Sequence, residues 1–70
     1  MRFTRHAKNQ ARQVRTSVAD AEDLISCAEK IDFDEDGKPR YTGYIRGVRM
    51  RVVVALDEPD LIVTIHERRR

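Results

Sequence analysis

Gly47-Val48-Arg49-Met50-Arg51-Val52-Val53-Val54-Ala55-Leu56 is the stretch on which the fold turns. It is β-branched, mostly apolar, and bounded by a glycine and an acidic turn, so it reads as the central strand of a small sheet. Side chains alternate between the two faces of a strand. Val48, Met50, Val52, Val54 and Leu56 therefore share one face, and Arg49 and Arg51 share the other. A greasy side backed by a positive side is the main functional hint in the chain.

The segments around it supply the rest of the sheet. Ile31-Asp32-Phe33-Asp34 alternates apolar and polar residues and reads as a short strand, followed by an Asp36-Gly37 turn. In Arg40 to Arg46, Tyr41, Gly43 and Ile45 alternate with Thr42, Tyr44 and Arg46, and Gly47 gives a tight reversal. Asp57-Glu58-Pro59-Asp60 makes the next loop, since Pro59 cannot donate to a ladder. Leu61 to His66 is the last strand, with Leu61, Val63 and Ile65 on one face and Ile62, Thr64 and His66 on the other.

The sheet is preceded by two helical patterns. Thr4 is a fair N-cap for a helix reaching Val14 or Arg15, with Phe3, Ala7, Ala11 and Val14 as its apolar stripe. Arg5, Lys8, Arg12 and Arg15 form a second, wholly basic stripe. Ser17 and Asp20 resemble a capping box opening a second helix that ends near Lys30. Its buried face is Val18, Ala21, Leu24, Ile25 and Ala28, and Cys27 is expected as a small buried hydrophobe. Arg2-Phe3 is too short to assign alone and reads as an edge strand or a lead-in. The expected fold is α+β: one domain over 1–70, with a helical hairpin at about 4–30 on one face of a curved antiparallel sheet of three to four strands at about 31–67.

Composition narrows the function classes. Charged residues make up 37% of the chain, yet the net charge is only +2. The charges come in blocks: basic to Arg15, acidic from Asp20 to Asp36, basic from Lys38 to Arg51, and basic again at Arg68-Arg69-Arg70. Such blocks either balance neighbouring elements or build one basic face for a polyanion. One cysteine excludes an internal disulfide, and no His or Cys spacing resembles a zinc site. No stretch has the length or hydropathy of a signal peptide or a membrane span, so a cytoplasmic protein without cofactor or metal is expected. A core this small also makes pairing with a second copy through a free strand edge an open expectation.

The register that buries the most apolar surface clusters Tyr44, Arg46, Arg49, Arg51 and His66 on one exposed surface. Arginine binds phosphate bidentately, tyrosine stacks on bases and histidine moves protons near neutral pH. Those are the residue types that RNA cleavage by 2′-hydroxyl attack requires. They equally serve a module that binds without catalysis, and the tyrosines equally serve packing.

Thr4-Arg5-His6-Ala7, Arg12, Ser17-Val18, the run Gly47 to Val54, and Ile62-Val63-Thr64-Ile65 together resemble a small bacterial family of domains of unknown function. That family stands near the RelE/ParE and BrnT toxins, in the wider barnase, EndoU, colicin and RelE-like group. The likeness covers nearly the whole chain, though Val14-Arg15 departs from the commoner pattern, in which a second arginine falls slightly earlier. It implies two N-terminal helices on a curved antiparallel sheet and a metal-independent ribonuclease acting on mRNA or tRNA, free or on the ribosome. By that resemblance His6 is the acid/base residue, Thr64 a phosphate or oxyanion contact, and Arg49 and Arg51 hold the scissile phosphate. His66 joins the catalytic candidates; Arg5, Lys8, Arg12, Arg46, Arg49 and Tyr44 are the RNA-binding candidates. The partner implied is an acidic antitoxin. The other reading is a non-catalytic nucleic-acid- or protein-binding module of a toxin-antitoxin or phage-type system.

Overall fold

A computed structural model describes residues 1–68. The elements in chain order are β1 (Arg2–Phe3), α1 (Arg5–Gln13), α2 (Val18–Ser26), β2 (Lys30–Phe33), β3 (Pro39–Ile45), β4 (Val48–Val54) and β5 (Leu61–Glu67). The strands form one five-stranded sheet in the order β1-β5-β4-β3-β2, so β4 is central. The sheet is mixed, where alternation predicts three to four antiparallel strands. The Arg2 N–H donates to the Asp60 carbonyl and the Thr4 N–H to the Ile62 carbonyl, both at 2.9 Å, and these bonds hold β1 parallel to β5. Two residues carry no periodicity, so only pairing with β5 reveals Arg2-Phe3 as a strand.

The helices form where their caps dictate. Thr4 Oγ1 accepts the Ala7 N–H at 3.1 Å, and α1 then runs to its C-cap at Val14. Beyond it Arg15 takes φ +53, the Thr16 N–H reaches the Ala11 carbonyl at 2.9 Å and the Arg15 N–H the Arg12 carbonyl at 3.3 Å. That is a Schellman ending with arginine where glycine is usual. Ser17 and Asp20 complete the expected capping box, both bonds at 3.1 Å. The second helix stops at Ser26, short of Lys30, because the chain turns to let the Glu29 N–H reach the Thr42 carbonyl at 2.8 Å. Cys27 is therefore the C-cap, and it is exposed, not buried.

The core lies between the helices and one sheet face. Ala7, Ala11, Ala21 and Leu24 pack with Ile45, Met50, Val52, Val54, Ile62 and Ile65. Met50 is 2% exposed on the helix side, while Arg51 points to the opposite face. Gly43 sits under α2: a Cβ there would stand 3.2 Å from Leu24 Cγ, so the missing side chain lets the helix settle on β3. Leu56 lies past the end of β4 and is 64% exposed, so it does not join the inner row as its spacing predicts. On β5 the expected alternation also breaks. Val53 pairs with Thr64 but Val54 pairs with Ile62, so Val63 is the extra residue of a bulge. The bulge turns both Ile62 and Ile65 into the core, each 0% exposed.

Candidate functional site

Register places one group of polar side chains on the sheet face away from the helices. Arg51 of β4 lies directly between Thr42 of β3 and His66 of β5. One row along, Val53 lies between Arg40 and Thr64, and on the other side Arg49 pairs with Tyr44. Lys30 and Asp32 of β2 extend the rows through Thr42 and Arg40. The Arg68 N–H donates to the Arg49 carbonyl at 2.8 Å and brings its charge beside Arg51 and His66. This outer face therefore gathers Lys30, Arg40, Arg49, Arg51 and Arg68, and of these Arg51 and Arg68 act on His66.

Thr42 and Val53 are buried although no helix covers them. Their cross-strand neighbours are Lys30, Arg40, Arg51 and Thr64, so the aliphatic stems of the long cations supply the cover. The carboxylates on this side are committed. Asp32 receives Arg40 Nε at 2.9 Å and Nη2 at 3.0 Å, with Lys30 Nζ at 3.7 Å. Hydrogen bonding from Arg40 holds the Asp32 carboxyl below its usual range. Glu29 reaches Arg49 only at 3.9 Å.

Arg51 is the odd member. Among the described residues no carboxylate forms an ion pair with it, and its Nε is buried without any hydrogen-bond partner. Burial, then the charges of Arg68 and Arg40, lower its pKa from the ordinary arginine value. His66 is half-buried, and burial, then Arg51 and Arg68, push its pKa below the ordinary histidine value. An imidazole whose pKa is lowered, beside a guanidinium without a carboxylate partner, can accept a proton next to a bound anion.

The structure brings Arg49, Arg51, Tyr44, Thr64 and His66 to this one face and leaves other candidates elsewhere. His6 is exposed on α1, in the helical layer that covers the opposite face of the sheet. Arg5, Lys8 and Arg12 are exposed on the same helix and form a separate basic surface. Arg46 sits in the β3–β4 turn at φ +50, ahead of Gly47 at φ +80, and does not join the outer row. Its Nη1 pairs with Asp20 Oδ2 at 2.8 Å and its Nη2 donates to the Arg15 carbonyl, tying the hairpin to the turn between the helices. Arg46 thus acts as a strap. Arg69 and Arg70 lie outside the described residues.

Sequence reasoning set Thr42 in the same row as Tyr44 but missed Lys30 and Arg40 as members of the face. Their places follow from cross-strand pairing, which alternation within each strand does not reveal. Near the strap, a cleft of about 290 Å³ opens on the helix side, lined by Val14, Arg15, Ile45, Arg46, Val48 and Met50 among others. Among the described residues no group of His, Cys, Asp or Glu side chains is placed to hold a metal ion. No described helix is long and apolar enough to cross a membrane. Comparison with protein-family models, curated proteins and solved structures finds no match to this chain.

Proposed function

We propose that the protein binds RNA through the outer face of its sheet, with phosphates seated on Arg49, Arg51 and Arg68 and a base against Tyr44. The observation that carries this reading is Arg51, a central-strand guanidinium with a buried, unpartnered Nε amid cations. A phosphate supplies the counter-charge that Arg51 lacks among the described residues. Tyr44 is 54% exposed beside Arg49, so its ring is free to stack. The test is anisotropy of labelled single-stranded RNA across a salt series. Affinity that falls steeply with salt, and falls again in Arg49→Ala, supports the reading; salt-independent binding, or none, rejects it.

A second reading, a RelE-like ribonuclease, keeps a specific support in His66, which faces Arg51 directly and is neutral at pH 7. Its base would take the 2′-hydroxyl proton and Arg51 would hold the developing phosphorane charge. Thr64, two residues away on the same face, is the further phosphate contact. His6 as the matching acid would have to act from the helical layer, so the protonated imidazole of His66 or water is the better donor to the leaving oxygen. Incubation with tRNA, and with ribosomes and mRNA, separates the readings. Cleavage lost in His66→Ala but kept in His6→Ala supports this route; intact RNA leaves the binding module. An acidic partner protein covering the same face would compete with RNA in either case.

A further inference from the structure

The two edges of the sheet are unlike. At the β5 side, β1 covers the first residues and Gln10 of α1 then accepts the Ile65 N–H on Oε1 at 3.0 Å. At the other side, among the described residues, no strand pairs with the outer edge of β2. The Asp34 N–H donates to the Lys38 carbonyl at 3.0 Å, which sets the alternation of the ladder. Asp32 and Lys30 then form the hydrogen-bonded pairs with Arg40 and Thr42, while Phe33 and Ile31 form the non-bonded pairs with Pro39 and Tyr41. The backbone groups of Ile31 and Phe33 therefore point out of the sheet. Their side chains lie on the helix side but beyond the cover of α2, at 60% and 64% exposed. No proline, bulge or glycine interrupts β2.

We infer that this edge pairs with β2 of a second copy, antiparallel about a two-fold axis through Asp32. Ile31 then stands opposite the partner's Phe33, each such pair exchanging both backbone hydrogen bonds, and Lys30 stands opposite the partner's Asp34. The alternatives fit less well. Centring on Phe33 sets Asp32 against the partner's Asp34, and centring on Ile31 sets Phe33 against the partner's Glu29. The two Asp32 carboxylates meet at the axis, but each is already neutralised by Arg40 at 2.9 Å with Lys30 at 3.7 Å. Because the axis is normal to the sheet, both helical layers fall on one side and both Arg51 faces on the other. The pairing yields one continuous sheet with a doubled basic surface. So short an edge makes a small interface, so the dimer is reversible.

Sedimentation equilibrium of the full chain tests this. Wild type forms a concentration-dependent dimer, and Ile31→Lys with Phe33→Lys raises its dissociation constant by more than roughly tenfold, these being the interface's apolar anchors. Both residues are largely exposed, so the variant keeps its far-UV spectrum and melting temperature. In a Cys27→Ser background, Asp32→Cys crosslinks across the axis under mild oxidation, since a non-bonded pair brings Cα atoms to about 4.5 Å. A wild type still monomeric at roughly 300 μM overturns the pairing and leaves the edge to some other strand. A dimer indifferent to the double substitution overturns it too, as does an Asp32→Cys dimer that persists without forming the crosslink.

Discussion

Replacing Arg51 by methionine separates stability from binding. The arginine stem lies between Thr42 and His66, and methionine keeps most of that stem. What the substitution removes is a buried Nε with no partner and a charge that Arg68, Arg40 and Arg49 repel. What it forfeits within the fold is the longer-range attraction of Asp32, which Arg40 already neutralises. A buried unsatisfied donor costs about 1–3 kcal/mol, so Arg51→Met is expected to stabilise the chain by roughly 1 kcal/mol. For a domain of this size that raises the melting temperature by about 4–8 °C. RNA binding moves the other way. Loss of one charge-assisted contact of about 1.5 kcal/mol weakens affinity roughly tenfold. The slope of log affinity against log salt falls by about 0.7 for a single strand. Urea unfolding and RNA anisotropy on the same preparation read both effects. A variant that is destabilised by more than about 1 kcal/mol yet binds RNA with unchanged affinity and slope would refute the reasoning, because Arg51 would then be structural.

Other substitutions follow from the same geometry. His66 is depressed in the folded state, so the unfolded chain binds its proton first as pH falls. Stability should therefore rise with pH through the window from the lowered native value up to the ordinary ~6.5, and His66→Gln should flatten that rise in urea titrations. RNA adds negative charge beside the ring and raises its pKa, so binding should take up a proton and tighten toward pH 5.5, roughly a unit below the ordinary value, measured by calorimetry in buffers of different ionisation heat. Gly43→Val forces branches into Leu24, already 3.2 Å from the Cβ position, and should cost about 1–3 kcal/mol in thermal melts. Arg15→Gly relieves the left-handed residue at φ +53 and should stabilise by about 0.5–1 kcal/mol, with the carbonyl that Arg46 binds retained. Gln10→Ala orphans the Ile65 N–H and should cost about 1–2 kcal/mol, with faster amide exchange at Ile65.

Much of the fold is legible because its signals are local. The capping box at Ser17 and Asp20, the Gly47 reversal and the alternation of Met50 with Arg51 each depend on residues a few positions apart. The features that escape depend on distant pairing. β1 exists only because β5 offers it an edge, and the Val63 bulge accompanies the burial of both Ile62 and Ile65, with no turn residue to mark it. The site shows the same division. Alternation groups Arg49 with Arg51, Thr42 with Tyr44 and Thr64 with His66, whereas the places of Lys30 and Arg40 need cross-strand register. Alternation misplaces Arg46 because it carries one residue too far into a turn, where φ +50 redirects the side chain to Asp20. His6, assigned by resemblance, stands on the helical layer, and nothing in its local sequence marks which face of the sheet that layer covers.

The claim that the outer sheet face holds the RNA is tested most directly by amide chemical-shift mapping during titration with a short single-stranded RNA. The expected result is a contiguous set of shifts at Thr42, Arg49, Arg51, Thr64 and His66, with Arg5, Lys8 and Arg12 unmoved. Shifts confined to the basic stripe of α1, with the β4 and β5 amides unchanged at saturation, would contradict it.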